Sequence, residues 1–142
     1  MCDNAVRQDD RVSRQLTVAV PGRPFSLNAE RSKHWSDRAR RVAQFRLDAK
    51  FATLEALGSR RPRFERVSVD VYPYALNRRY RQDVGNCYAS MKAALDGVVD
   101  TGILADDDDS HVVAVTFHPH QFGVDQLVLV LTESEGGEAG AQ

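Results

Sequence analysis

The sequence has little cysteine, and its two cysteines are poorly placed for chemistry. Cys2 and Cys87 are the only ones in 142 residues, and they form no Cys-x-x-Cys pair. A disulfide framework and a structural zinc site are therefore excluded, and a reducing, cytoplasmic setting is the default expectation. Long apolar runs are also missing. None approaches the roughly 20 residues that a membrane helix needs, so no membrane partner is expected. The opening "MCDNAVRQDDRVSRQ" lacks the apolar centre of a secretory signal. No internal repeat is present. The length suits a single domain with one core.

Positive charge is almost absent from the second half. Residues 82–142 hold 1 Lys/Arg against 11 Asp/Glu, whereas residues 21–81 hold 15 against 6. The formal net charge of −1 conceals this segregation. A basic surface attracts polyanions, and an acidic pocket beside it attracts divalent cations. The pairing suits an enzyme acting on a phosphodiester backbone. It equally suits two halves joined by ordinary surface ion pairs.

Patterning predicts one domain over 15–132, between a flexible tail at 1–14 and a flexible acidic tail at 133–142. "QLTVAV" (15–20) reads as a strand. Ser36 is placed to cap a helix running to Leu57, with Gly58 closing it, and Trp35 reads as a hydrophobic staple before it. Val42, Phe45, Ala49, Ala52 and Ala56 form one apolar stripe on this helix. Leu47, Phe51 and Leu54 form another, so a partner subunit or a second layer of the same chain is expected over it. "FERVSVDVYPY" (64–74) alternates as a half-buried strand. Asn86 is placed to cap a helix over about 87–100, and 111–118 and 125–132 read as two further strands. The second of these is apolar on both faces, which predicts a central position. The order β–α–β–α–β–β predicts an α+β domain: a mixed sheet of about four strands with two main helices.

The residues richest in chemistry lie between Asp83 and Asp109. Lys92 and Asp96, four apart, share one helix face. Asp83 precedes this helix, and "GILADDDDS" (102–110) follows it. Mg²⁺ prefers oxygen ligands and keeps several waters, so two or three carboxylates suffice to hold it. A lysine beside them can stabilise charge on a phosphate. The plainer reading of Lys92–Asp96 is an exposed helical ion pair. A calcium loop is excluded, because "DDDDSHVVA" lacks alternating ligands, an internal glycine and a distal glutamate. "HPH" (118–120) reads as a turn. "NRRYRQ" places Arg78, Arg79 and Arg81 around Tyr80, and phosphate contact is the reading preferred over a solvated loop.

The order of a basic loop, Asp83, Asn86, "KAALDGVVDTG" and Asp106–Asp107 four residues after Gly102 resembles RusA-type Holliday junction resolvases. "RPFSLNAER" is similar to that family's loop after the first strand. The resemblance implies a RusA-like homodimer that cleaves branched DNA, four-way junctions above all, in recombination and repair. It implies Mg²⁺ as the cofactor, with Mn²⁺ as a substitute, and no small-molecule cofactor. Lys92, Asp83 and Asp107 would be catalytic, and Asp83, Asp106, Asp107 and Asp96 would hold metal. Arg78, Arg79, Arg81, Arg31, Lys33 and Asn28 would contact DNA.

Two departures from the family pattern stand out. Gly85 occupies the place of the family's second aspartate, and Lys92 lies six residues after Asn86 rather than three. The alternative is therefore a catalytically silent protein that binds junction DNA. A nuclease for flaps or single strands and a purely structural protein are further rivals.

Overall fold

The computed structural model of the chain describes residues 14–25, 35–80 and 85–134. Alternation of apolar residues produces the strands. β1 (Gln15–Pro21) buries Leu16, Val18 and Val20, and β2 (Val67–Ala75) buries Val67, Val69 and Val71. β5 (Gln126–Glu133) buries Leu127, Leu129 and Leu131. β3 (Val112–Phe117) and the two-residue β4 (Gln121–Phe122) complete a five-stranded sheet. The order is β1–β5–β2–β3, with β4 also on β2. β5 runs antiparallel to both β1 and β2, whereas β3 and β4 run parallel to β2. The sheet is therefore mixed, and β5 is central as its composition predicts. β4 is the fifth strand that the sequence pattern does not reveal, because two residues carry no period.

Register aligns the buried residues on one face. Val18 pairs with Leu129, which pairs in turn with Val71. Two helices belong to that side. α1 (Trp35–Leu57) packs on β1 and on α2 (Tyr88–Asp100), and Phe45, Ala49 and Leu57 join the core. The other face is more open: Thr17 and Ala19 are exposed, and Val128 and Val130 are half-buried. Among the described residues no helix is long and apolar enough to cross a membrane.

Three local expectations need correction. α1 already contains Trp35 and Ser36, so Ser36 does not cap it. The cap of α2 is Cys87 rather than Asn86, and it makes no side-chain capping bond. Phe64 lies outside β2 and forms an isolated bridge with Leu104. Of the second stripe of α1, Leu54 is half-buried, and Leu47 and Phe51 stand 44 % and 58 % exposed among the described residues. At the ends of the domain, β5 reaches Glu133, and Arg14 donates two hydrogen bonds to its carboxylate at 2.7 and 2.8 Å.

Two features fix α2 in place. Gly97 lies against the backbone of α1, as close as a small residue allows. Near its start, the fully buried Ser90 accepts from the Phe25 N–H at 3.3 Å, and its hydroxyl faces the carbonyls of Cys87 and Phe25 at 2.9 and 3.1 Å. Ser90→Ala would leave that buried N–H without its partner, at a cost of about 1–2 kcal/mol. Urea denaturation should show the midpoint falling with the slope unchanged.

Candidate active site

Helical spacing brings Lys92 and Asp96 to one face of α2, and the turn after Leu104 brings Asp107 to the same point. Lys92 Nζ donates to Asp96 Oδ1 at 2.8 Å and to Asp107 Oδ2 at 2.7 Å. One ammonium is thus shared by two carboxylates fifteen residues or fewer away in sequence. This is more than the exposed helical pair that spacing alone predicts. The anchor is apolar: Ile103 and Leu104 are buried, which holds the chain as it leaves α2. Gly102, with a positive φ of 87°, turns it there. The Asp107 N–H donates to Asp106 Oδ1 at 2.7 Å, so Asp106 orders the turn that presents Asp107. Asp106 itself is exposed.

Asp108 is engaged locally. Asp108 Oδ1 accepts from the Ser110 hydroxyl at 2.6 Å and from the Ser110 N–H at 3.1 Å, and it lies 2.7 Å from His111 Nδ1. These contacts, Ser110 first, hold the Asp108 carboxyl below its ordinary range. Asp108 therefore terminates the loop. Among the described residues no three His, Cys, Asp or Glu side chains are grouped closely enough to hold a metal. Asp83, together with Arg81, Asn28, Arg31 and Lys33, lies outside the described residues.

Gly85 has a physical reason to be glycine. Its φ is +92°, a conformation that L side chains rarely adopt, although the space around it is open. The turn into α2 thus selects glycine at this position.

Sequence reasoning missed Arg46 as part of this region. It forms a two-pronged pair with Asp100, at 2.7 and 2.8 Å, strapping α1 to α2. The charges of Asp96 and Asp107 also act on the Arg46 guanidinium. Only the run of basic residues along α1 hinted at it. Arg78 and Arg79 are exposed at the end of β2, in a 3₁₀ turn (Arg78–Tyr80). The Arg78 guanidinium lies over the Phe122 ring at 4.9 Å, and Arg79 lies over Tyr80 at 5.5 Å. Arg23, also missed, covers Tyr80 at 3.6 Å and lies 3.5 Å from Asp125. These contacts orient cationic planes on aromatic rings without neutralising Arg78 or Arg79. Of the sequence-predicted residues, the structure brings together Lys92, Asp96, Asp106 and Asp107. Arg78 and Arg79 form a separate group.

"HPH" is more than a plain turn. His118 Nε2 lies 2.9 Å from Asp70 Oδ1, and the ring stacks on Tyr72 at 4.2 Å. Both partners project from β2 onto the open face of the sheet. Cys87 is inert by contrast, since burial pushes its thiol up to about 11.

The charge on the cluster is locked at neutral pH. Lys92, hydrogen-bonded to the Asp107 carboxylate, holds it below its ordinary 3.8. Asp107 first, then Asp96, hold the Lys92 ammonium above its ordinary 10.5. The depressed carboxyl contributes stability above 3.8, lost as pH falls through its lower folded value. The raised ammonium contributes below 10.5 and loses its effect as pH rises through its higher folded value. The stability gap between wild type and Asp107→Asn should therefore be flat from about pH 5 to 9 and shrink in stronger acid. Lys92 is 45 % exposed, so the gap stays within about 1 kcal/mol. Urea unfolding across pH measures it.

Compared with known proteins, the sequence matches no family model and no curated protein.

Proposed function

We propose that this chain is a metal-dependent endodeoxyribonuclease that resolves Holliday junctions and other branched DNA, as in recombination and repair. The observation that carries the reading is the Lys92 ammonium shared between Asp96 and Asp107. Asp96 and Asp107, which already converge on one cation, offer hard oxygen donors of the kind Mg²⁺ takes, and one or two carboxylates with several waters suffice for it. Asp107 would hold the ion with Asp96, and the resemblance adds Asp106 and Asp83. Bound there, it would polarise the scissile phosphodiester and lower the pKa of a coordinated water.

The protein's own groups have separate tasks. Lys92 has three donors and gives two to carboxylates, so one remains for a phosphate oxygen. Its fixed positive charge would be worth most where negative charge develops on that phosphate. Asp107 stays ionised because of Lys92 and so keeps the ammonium oriented. Arg78 and Arg79 would hold the backbone away from the reacting bond, with Arg81, Arg31, Lys33 and Asn28 as further contacts. Such contacts read phosphates rather than bases, so selectivity would be for branch shape.

Paired nicks in opposing strands call for two sites related by a two-fold axis. A homodimer supplies them. The exposed Leu47 and Phe51 on α1 support such a partner.

The silent junction-binding reading keeps one specific observation in its favour. The Gly85 backbone disfavours the carboxylate that the resembling family carries there. A labelled four-way junction separates the two. Nicking in Mg²⁺ or Mn²⁺ that EDTA stops supports the nuclease. Tight binding in EDTA without nicking in either metal supports the silent binder. Competition by unlabelled junction, flap and single-stranded DNA tests the branch preference.

A further inference from the structure

A second cationic feature lies at the other edge of the sheet from Asp107. The turn "SRRPR" leaves α1 at its C-terminal end, and Arg60 and Arg61 line a cleft of about 700 Å³ there. Arg14, Gln15, Leu16, Leu57, Pro62 and Phe64 complete its walls. The cleft belongs to the β1 side, whereas Asp107 precedes β3 at the opposite edge. Leu16, Leu57 and Phe64 are almost wholly buried, at 5 %, 2 % and 4 % exposure, so the apolar core backs the cleft. Charges above a low-dielectric floor act at greater strength than charges on an open surface.

The arginines differ in how their charge is met. Arg14 is neutralised by Glu133. Arg60 and Arg61 touch no carboxylate among the described residues. Arg60 Nε donates to the Leu57 carbonyl at 3.3 Å, and Arg61 donates to the Gly58 and Arg60 carbonyls at 2.7 and 2.6 Å. Those bonds satisfy the end of α1 and fix both guanidinium groups. They leave both charges without a carboxylate among the described residues, and most of the donors unused by the bonds named. A planar fork held in place on an exposed ledge matches a phosphate oxygen pair.

We infer that this cleft is a second phosphodiester-binding site, seating the sugar-phosphate backbone of a DNA arm beyond the one being cut. The inference rests on the nuclease reading for its choice of polyanion. Phe64, in the wall of the cleft, bridges to Leu104, three residues before Asp107. The two sites are thus joined through one isolated parallel bridge between buried residues. The cleft contributes affinity and orientation, and no reacting group.

Two measurements test it, both on the full chain in EDTA, where no cleavage occurs. The first is anisotropy of a fluorescein-labelled four-way junction at several salt concentrations. R60A/R61A together should weaken binding about tenfold or more near physiological salt, and should lower the salt slope by about 2. R60K/R61K, which keeps the charge, should recover most of the slope. The second uses unaltered protein and arginine modification by p-hydroxyphenylglyoxal, read by mass spectrometry. Saturating junction should protect Arg60 and Arg61. Unchanged affinity and slope in R60A/R61A, or equal modification with and without DNA, overturns the site. Displacement of bound junction by poly-glutamate at equal charge concentration also overturns it, in favour of an acidic protein partner. Protection without any nicking in Mg²⁺ would remove the nuclease reading and leave this site standing. Nicking without protection does the reverse.

Discussion

Lys92→Ala is expected to abolish junction cleavage while leaving junction binding in EDTA within a few-fold of wild type. Removing a preorganised charge aimed at a developing oxyanion costs about 10²–10³ in rate. Here the loss should be larger, because Asp96 and Asp107 would also face each other without the ammonium that separates their charges. Asp107→Asn should be as severe, since it removes both a ligand oxygen charge and the partner that orients Lys92. Lys92→Arg should not rescue, because a planar fork cannot replace a compact ammonium between two carboxylates. Asp96→Asn should cost less, as Asp107 would still hold Lys92. Each variant should stay folded, since the cluster is half-exposed and such pairs contribute within about 1 kcal/mol. Single-turnover nicking of a labelled junction beside anisotropy binding separates the two effects. Full cleavage by both Lys92→Ala and Asp107→Asn would remove these residues from the reaction.

Gly97→Ala is expected to destabilise the fold, although alanine is the better helix former by about 1 kcal/mol. A Cβ at Gly97 would lie 2.8 Å from Ala49 Cβ and 2.9 Å from Lys50 N, and closer still to the Arg46 carbonyl. Two of those three neighbours are backbone, which cannot turn aside. Overpacking of this kind costs about 1–3 kcal/mol or more, so the net change should be a loss, and Gly97→Val should lose more. The readouts are the thermal and urea midpoints. Pushing α2 away from α1 also stretches the Arg46–Asp100 strap, one turn from Asp96. Cleavage should therefore fall further than stability alone explains. A raised melting temperature in Gly97→Ala would contradict the close crossing.

The sequence made this crossing hard to see. Gly97 sits inside "KAALDGVVD", where a helix pattern tolerates a glycine, and nothing local tells a packing contact from a neutral position. The strands were legible because their period of two survives in Val67, Val69 and Val71 and in Leu127, Leu129 and Leu131. β4 was not, because Gln121–Phe122 is held by pairing with β2 rather than by any pattern of its own. Helix ends misled. Ser36 and Asn86 are good capping residues by type, yet α1 already includes Trp35 and Ser36, and Cys87 rather than Asn86 stands at the cap of α2. For the site, spacing placed Lys92 beside Asp96. Only the fold could bring Asp107 to the same ammonium, since the turn at Gly102 and the burial of Ile103 and Leu104 decide where it lands. Arg46 and Arg23 were invisible for the same reason: their roles come from neighbours distant in the chain. The run of four aspartates divides by geometry as well. Asp106 and Asp107 serve the cluster, and Asp108 closes its own loop.

The most direct test of the central claim is Mg²⁺-started cleavage of a four-way junction by wild type and Lys92→Ala side by side, with binding measured in the same samples. Paired nicks in opposing strands by the wild type, with none from a variant that still binds, is the predicted result. Binding without nicks by the wild type, or equal nicking by both proteins, would contradict it.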